Sequence, residues 1–308
     1  MSTPTPPGGE RREAPARIAD RPGSADPVRS GSAEPTLAPG GSLAAQVAKY
    51  FEVFKVTLLS NTAYVYDVLF RQLFLVVVMY VFIQLWKTTY SWEGAVEISG
   101  FTIRQMIWYL AMSESMAMGM PRMGATIDEE VKSGSLAYRL NKPYSYPLFH
   151  YAGYMAEAAL RFVLSLAIAG TVTWIAVGPP AFTPLSLLAG LVGVIIGFSI
   201  DYTAQFGLGL LAFWTEDTWA FRFLYQRLVM IFGGMMLPLD VFPEFLRKIA
   251  SAMPTSLIIY GPVKTFVSFS ASDWTSMLVR QGIWLAACSL VVSVIYRMGV
   301  KRVNVQGG

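Results

Sequence analysis

Among 308 residues there is one cysteine, Cys288, and one histidine, His150. Neither a disulfide framework nor a zinc site of three or four ligands can be assembled from so few within one chain. Charge is scarce as well. Only 14% of residues are charged, against roughly 25% in soluble domains, while 54% are hydrophobic. With a mean hydropathy of +0.46, such a chain is ordinarily solvated by lipid, and a soluble globular enzyme does not fit.

Further absences narrow the chemistry. The formal net charge of +4 is spread over 24 basic and 20 acidic residues without the dense basic tract that neutralises phosphates, so nucleic acid is not an expected partner. No Gly-x-x-x-x-Gly-Lys-Ser/Thr loop is present, so the chain has no evident way to cradle and hydrolyse a nucleotide. There is no His-Glu-x-x-His pair and no Gly-x-Ser-x-Gly elbow. No catalytic residue, metal or cofactor is therefore expected. His150, beside Tyr146, Pro147 and Tyr151, reads as a structural histidine at headgroup level, and Cys288 as packing within a span. The opening MSTPTPPGGE has no basic region followed by an apolar core, so no cleavable signal peptide is expected.

What is present reads as an all-α polytopic membrane protein. Residues 1–42 are rich in proline and glycine and lack aromatic residues, which predicts a disordered cytoplasmic tail or, alternatively, a partner-binding arm. From Leu43 the pattern changes. Leu43, Val47, Tyr50, Phe51, Phe54 and Leu58 recur at spacings of three and four, with Lys49, Glu52 and Lys55 off that face. This predicts an amphipathic helix lying in the interface or packed against other protein.

A span needs about 20 mostly apolar residues. Six candidates follow, within one transmembrane domain over 43–308: Leu69 to Trp86, Ile103 to Met120, Met155 to Val177, Leu185 to Trp214, Phe223 to Leu239 and Ser276 to Tyr296. The third and fourth are divided by Gly178, Pro179, Pro180 and Pro184, a tight hairpin loop. Lys and Arg concentrate in the tail, the second-to-third and fourth-to-fifth loops and the carboxyl end, which places both termini in the cytoplasm.

Arg71, Glu114, Arg161 and Asp201 fall within these spans, and each needs a partner, water or a short reach to the interface. Arg71 can snorkel. Glu114 and Asp201 suit either an interhelical polar contact or the carboxylates of an ion-coupled carrier. Gly193 and Gly197 form a Gly-x-x-x-Gly pair that permits close helix contact.

Two loops have shape. In the segment Pro121 to Pro143, Asp128, Glu129 and Glu130 are placed at a helix start and Lys132 near its end, with Gly134 as the cap. Ile127 and Val131 share one face, which leaves the acidic side chains to face a partner or water. In PLDVFPEFLRKIASAMP, Phe245, Leu246, Ile249 and Met253 give an apolar side to a short helix from about Glu244 to Met253, at the outer surface.

This order of elements resembles the permease subunits of type-two ATP-binding cassette transporters, in particular the bacterial six-span exporter branch. The amphipathic helix at Leu43 to Leu58, six spans, the Ile127 to Leu140 segment with its Ser-Gly-Ser-Leu and Asn-Lys-Pro, and the MLPLDVFPEFLRKIASAMP block carry the likeness from Leu43 to Arg302. The resemblance implies an ATPase subunit as partner, docked on a coupling helix at Asp128, Glu129, Glu130 and Lys132. It implies a second contact at Thr215 to Arg227, where Glu216, Asp217 and Arg222 stand. It also implies a second permease chain, the same or related, in a bacterial plasma (inner) membrane. The long tail departs from the family's compact start. The competing readings are an ion-coupled secondary transporter using Glu114 and Asp201, although no internal repeat is visible, and a non-transporting assembly protein.

Overall fold

The structure, a computed structural model, describes the backbone of residues 43–62 and 65–306, and the side chains within those ranges except at 43, 65–69, 71 and 303–306. The expected tail, residues 1–42, and the side chain of Arg71 lie outside the described residues. The described part is helical apart from one small hairpin, β1 (Glu97–Ile98) with β2 (Phe101–Thr102). The helices are α1 (Leu43–Thr62), α2 (Val65–Glu93), α3 (Ile103–Gly119), α4 (Met123–Lys132), α5 (Ser135–Leu140), α6 (Tyr146–Val177), α7 (Pro184–Leu210), α8 (Trp219–Phe232), α9 (Glu244–Ala252), α10 (Thr255–Ile258), α11 (Tyr260–Val267) and α12 (Ala271–Gln306).

Local chemistry explains most boundaries. Thr102 and Gln105 form a reciprocal capping box that starts α3, and Thr183 with Ser186 does the same for α7, with Pro184 at its first turn. Gly178, at φ 85°, ends α6, and its carbonyl accepts from Trp108 Nε1 at 3.2 Å. The hairpin expected around Pro180 is therefore a six-residue turn tied down by α3. The helix α6 begins at Tyr146, well before the expected Met155, because Ser145 and Pro147 already supply a helix start.

Among the described residues four helical stretches are long and apolar enough to cross a membrane: Gln72–Glu93, Tyr146–Val177, Pro184–Phe213 and Ala271–Arg302. The second and fifth expected spans are shorter helices, α3 with 17 residues and α8 with 14, below the usual length of about 20. Pro121 holds Met120 extended and stops α3. At the other, Gly233 and Gly234 end α8 at Phe232 rather than near Leu239; Gly234 has φ 71° and its carbonyl accepts the Tyr109 hydroxyl at 2.5 Å.

In the core α3 lies along α6, and α7 packs with α12, α11 and α4. The glycines of α7 are its contact surface. A Cβ on Gly190 would stand 2.6 Å from the Phe266 ring, and one on Gly197 would stand 2.6 Å from the Ile258 carbonyl oxygen. Gly193 faces Pro262 and Met277, and its carbonyl accepts from the buried Gln281. The Gly193/Gly197 pair thus receives the α10–α11 segment of the same chain. That inserted pair of short helices is not visible in the sequence pattern, whereas α9 is found where it was expected.

The helix α1 is 20 residues long. Lys49 Nζ donates to the Pro143 carbonyl at 2.9 Å, and the Ser145 N–H donates to the Tyr50 hydroxyl at 2.9 Å. Tyr50, Val53, Phe54, Thr57 and Leu58 are its half-buried face, while Val47, Phe51, Val56 and Leu59 point away from the bundle. The apolar residues therefore occupy two sides, one against α6 and one outward.

Candidate functional site

The helix α4 sits across the end of α7, at the end of the bundle that also carries the start of α6 and the start of α8. It begins at Met123, so Asp128, Glu129 and Glu130 fall in its middle and second half rather than at its start. The expected match of acidic residues to the positive helix end is therefore not realised, whereas Lys132 is in the last turn and Gly134, at φ 73°, follows the end as expected.

The three carboxylates do not share a face. Asp128 is 7% exposed and Glu130 8%; Glu129 alone points outward. Asp128 Oδ1 accepts from the buried Thr218 hydroxyl at 2.8 Å. Its Oδ2 accepts from Lys132 at 2.9 Å, with Arg222 at 3.7 Å. Glu130 Oε2 accepts from the Tyr146 hydroxyl at 2.8 Å and lies 3.2 Å from His150 Nε2, and its Oε1 lies 3.1 Å from Arg139. A carboxylate removed from water requires polar partners: Glu130 has three within 3.2 Å, and Asp128 has two within 2.9 Å with Arg222 further off at 3.7 Å.

Burial alone would raise the Glu130 carboxyl. The His150 contact, the Tyr146 hydroxyl and the Arg139 guanidinium outweigh it and hold the group below its ordinary 4.5.

The second expected contact region meets the first. Arg222 donates to the Gly124 carbonyl at 3.1 Å while standing near Asp128, and Asp217 Oδ1 accepts from the Trp219 N–H at 2.8 Å, steadying the start of α8. Glu216 and Asp217 are exposed. So the structure unites Asp128, Lys132 and Arg222, leaves Glu129, Glu216 and Asp217 on the surface, and adds Thr218, Arg139, Tyr146 and His150, which sequence reasoning missed as site residues. His150 was visible as the lone histidine, but nothing in its neighbourhood pointed to Glu130.

The residues expected within spans separate. Asp201, 1% exposed, accepts from the Tyr154 hydroxyl at 2.5 Å, the Tyr225 hydroxyl at 2.7 Å and Gln205 Nε2 at 2.7 Å. Gln205 Oε1 in turn faces the Gly124 N–H at 3.4 Å, joining this cluster to α4. Arg161 pairs with Glu157 one turn away on α6. Glu114 is 3% exposed, and its side chain has no hydrogen bond or ion pair among the described residues. Arg161 and Asp201 border one cavity of about 520 Å³ between α2, α3, α6, α7 and α8; Glu114 does not. Among the described residues no group of three or more His, Cys, Asp or Glu side chains could hold a metal ion.

This arrangement is a bundle of apolar helices with a cavity lined by both polar and apolar side chains, capped by a short helix whose Asp128 and Glu130 are paired within the chain while Glu129 is exposed. No curated protein matches the chain. The profile described as ABC-2 family transporter protein matches residues 73–307, the greater part of the chain, from α2 to the end of α12 and including both loop regions described above. The chain belongs to the ABC-2 family of transporter proteins, as a membrane permease of that type.

Proposed function

We propose that this permease is the membrane half of an exporter, works with a second permease chain, and is driven by a separate ATPase that docks on the outward side of α4 and the turn before α8. The observation that carries this reading is the seating of α4. It rests on α7 through Gly209, and it is fastened to the start of α8 by Asp128, Thr218 and Arg222. A load applied to α4 therefore reaches two helices at once. Its outward side, with Ala125, Thr126 and Glu129 exposed, is free of contacts that the bundle needs.

In this reading α3 and α8 complete six spans. At about 1.5 Å per residue α3 is about 26 Å long, close to a hydrocarbon core of about 30 Å. The apolar outward faces of α2 and α12, with Phe70, Phe74 and Val77 and with Ile283, Leu290 and Val294, suit lipid. The α4 end faces the cytoplasm of a bacterial cell, as do both termini. Asp201 spends both oxygens on donors within the chain, which disfavours the ion-coupled carrier. Asp128 and Glu130 act as fasteners and Glu129 as the acidic docking residue.

The test is co-expression with the ATPase encoded nearest to it. The pair should copurify in mild detergent, with ATP turnover in the complex and none in the chain alone. Reversal of Glu129 to lysine should weaken the association without changing abundance, while reversals of Glu93 and Glu97 at the opposite end should not. A permease that purifies alone and hydrolyses ATP unaided would overturn the proposal.

A further inference from the structure

The cavity of about 520 Å³ falls in the range of small-molecule sites, and its lining is not balanced. Three of its charged residues are already occupied: Arg161 and Glu157 by each other, and Asp201 by Tyr154, Tyr225 and Gln205. Arg122 and Arg227 also border it, and among the described residues neither has a carboxylate partner. Arg227 rests on the Phe223 ring and reaches only the Met230 sulfur, at 3.6 Å.

A second observation comes from the opposite wall. Gln72 on α2 is 4% exposed, and its Nε2 donates to the Ser165 hydroxyl at 2.8 Å while its Oε1 is buried without a partner. Gln72 borders the cavity, and a buried polar atom left without a partner is costly. The lining also includes an apolar, adaptable set, Met118, Met120, Leu160, Met230 and Met235.

We propose that this cavity binds an amphipathic anion, its acid group held by Arg122 and Arg227 and its apolar body laid against the methionines toward Gln72. Guanidinium groups bind phosphate or carboxylate by paired hydrogen bonds, and unbranched thioether side chains fit a variable chain. The inference rests on reading the chain as a permease whose substrate path runs between its spans.

The experiment uses the full chain purified in a maltoside detergent, without any ATPase, so that it can fail while the docking reading stands. Thermal unfolding is followed on adding dodecyl phosphate, inorganic phosphate or dodecyltrimethylammonium. Dodecyl phosphate should raise the midpoint saturably, and the other two should not. The double variant R122Q/R227Q should bind at least about tenfold more weakly, R122K/R227K should recover part of that loss, and R247Q, at the far end of the bundle, should behave as the parent. Equal stabilisation by the cationic chain, equal stabilisation by inorganic phosphate, or an unchanged response in R122Q/R227Q would each overturn the proposal. Should R122Q/R227Q not fold, Met118→Trp, which fills the apolar part, must weaken dodecyl phosphate binding for the proposal to survive.

Discussion

Gly209 of α7 lies directly under Ile127 of α4: a Cβ on the glycine would stand 2.6 Å from the Ile127 Cβ and 2.8 Å from the Gly124 carbonyl oxygen. The two backbones approach so closely that no larger residue fits without moving one of them. Gly209→Ala should therefore lift α4 and cost about 1–3 kcal/mol, as overpacking does. Transport should fall further than ATPase association, because the outward side of α4 is untouched. Gly282→Ala in α12, where a Cβ meets nothing within 4 Å, is the control and should leave the unfolding midpoint unchanged or slightly raised. Equal behaviour of the two variants in thermal unfolding and vesicle transport would refute the seating.

Removing the Glu130 carboxylate leaves the buried Tyr146 hydroxyl without its acceptor and unpairs Arg139. Arg139 is partly exposed and can turn to water, so the cost is below that of a fully buried pair, about 1–3 kcal/mol from the unsatisfied Tyr146 hydroxyl and the lost ion pair. Glu130→Ala should thus lower the unfolding midpoint much more than Glu129→Ala, whose side chain is exposed.

The same residue sets an acid limit. Its carboxyl is held below 4.5 in the folded chain, so the unfolded state binds the proton more readily. The stability it contributes is fully present above its unfolded value and is lost as pH falls through the lowered folded value. In an acid series of unfolding midpoints, the gap between parent and Glu130→Gln should be constant near neutrality and narrow only below about pH 4.5. A gap that widens on acidification would contradict the assignment.

Asp201→Asn keeps one acceptor and exchanges the other for a donor, which opposes a tyrosine hydroxyl or Gln205. The loss of charge-assisted hydrogen bonds should cost about 1.5–3 kcal/mol in unfolding measurements. Transport driven by the ATPase should be reduced but remain indifferent to collapse of the proton gradient, in parent and variant alike. Gradient-dependent transport abolished by this substitution would favour the ion-coupled carrier.

Orientation can be read with single cysteines on a Cys288→Ala background. Ser135 in α5 lies at the α4 end, whereas Thr183 and Ser251 lie at the other. An impermeant thiol reagent applied to intact cells should label positions 183 and 251 and leave 135 unlabelled until the membrane is opened. The opposite pattern would invert the topology.

The helical class, the division at Gly178–Pro184, the short helix at Glu244–Ala252 and the order of elements that marks the family were legible in the sequence, because each depends on local signals. Apolar run length sets a span, glycine and proline end it, and capping residues start the next. The environment of the charged residues was not legible. Asp128 turns inward because Thr218 and Arg222, at the start of α8 some 90 residues away, close over it, and Glu130 does so because the first turns of α6 bring Tyr146 and His150 against it. A ten-residue helix with charges on several sides has no preferred inner face until its neighbours supply one. The α10–α11 insertion has the same cause. Its short apolar runs resemble any loop, and only the glycine face of α7, which leaves room at Gly190, Gly193 and Gly197, turns them into core. Local pattern determined which segments became helices; packing between distant segments decided which side chains were buried, paired, or left facing the cavity.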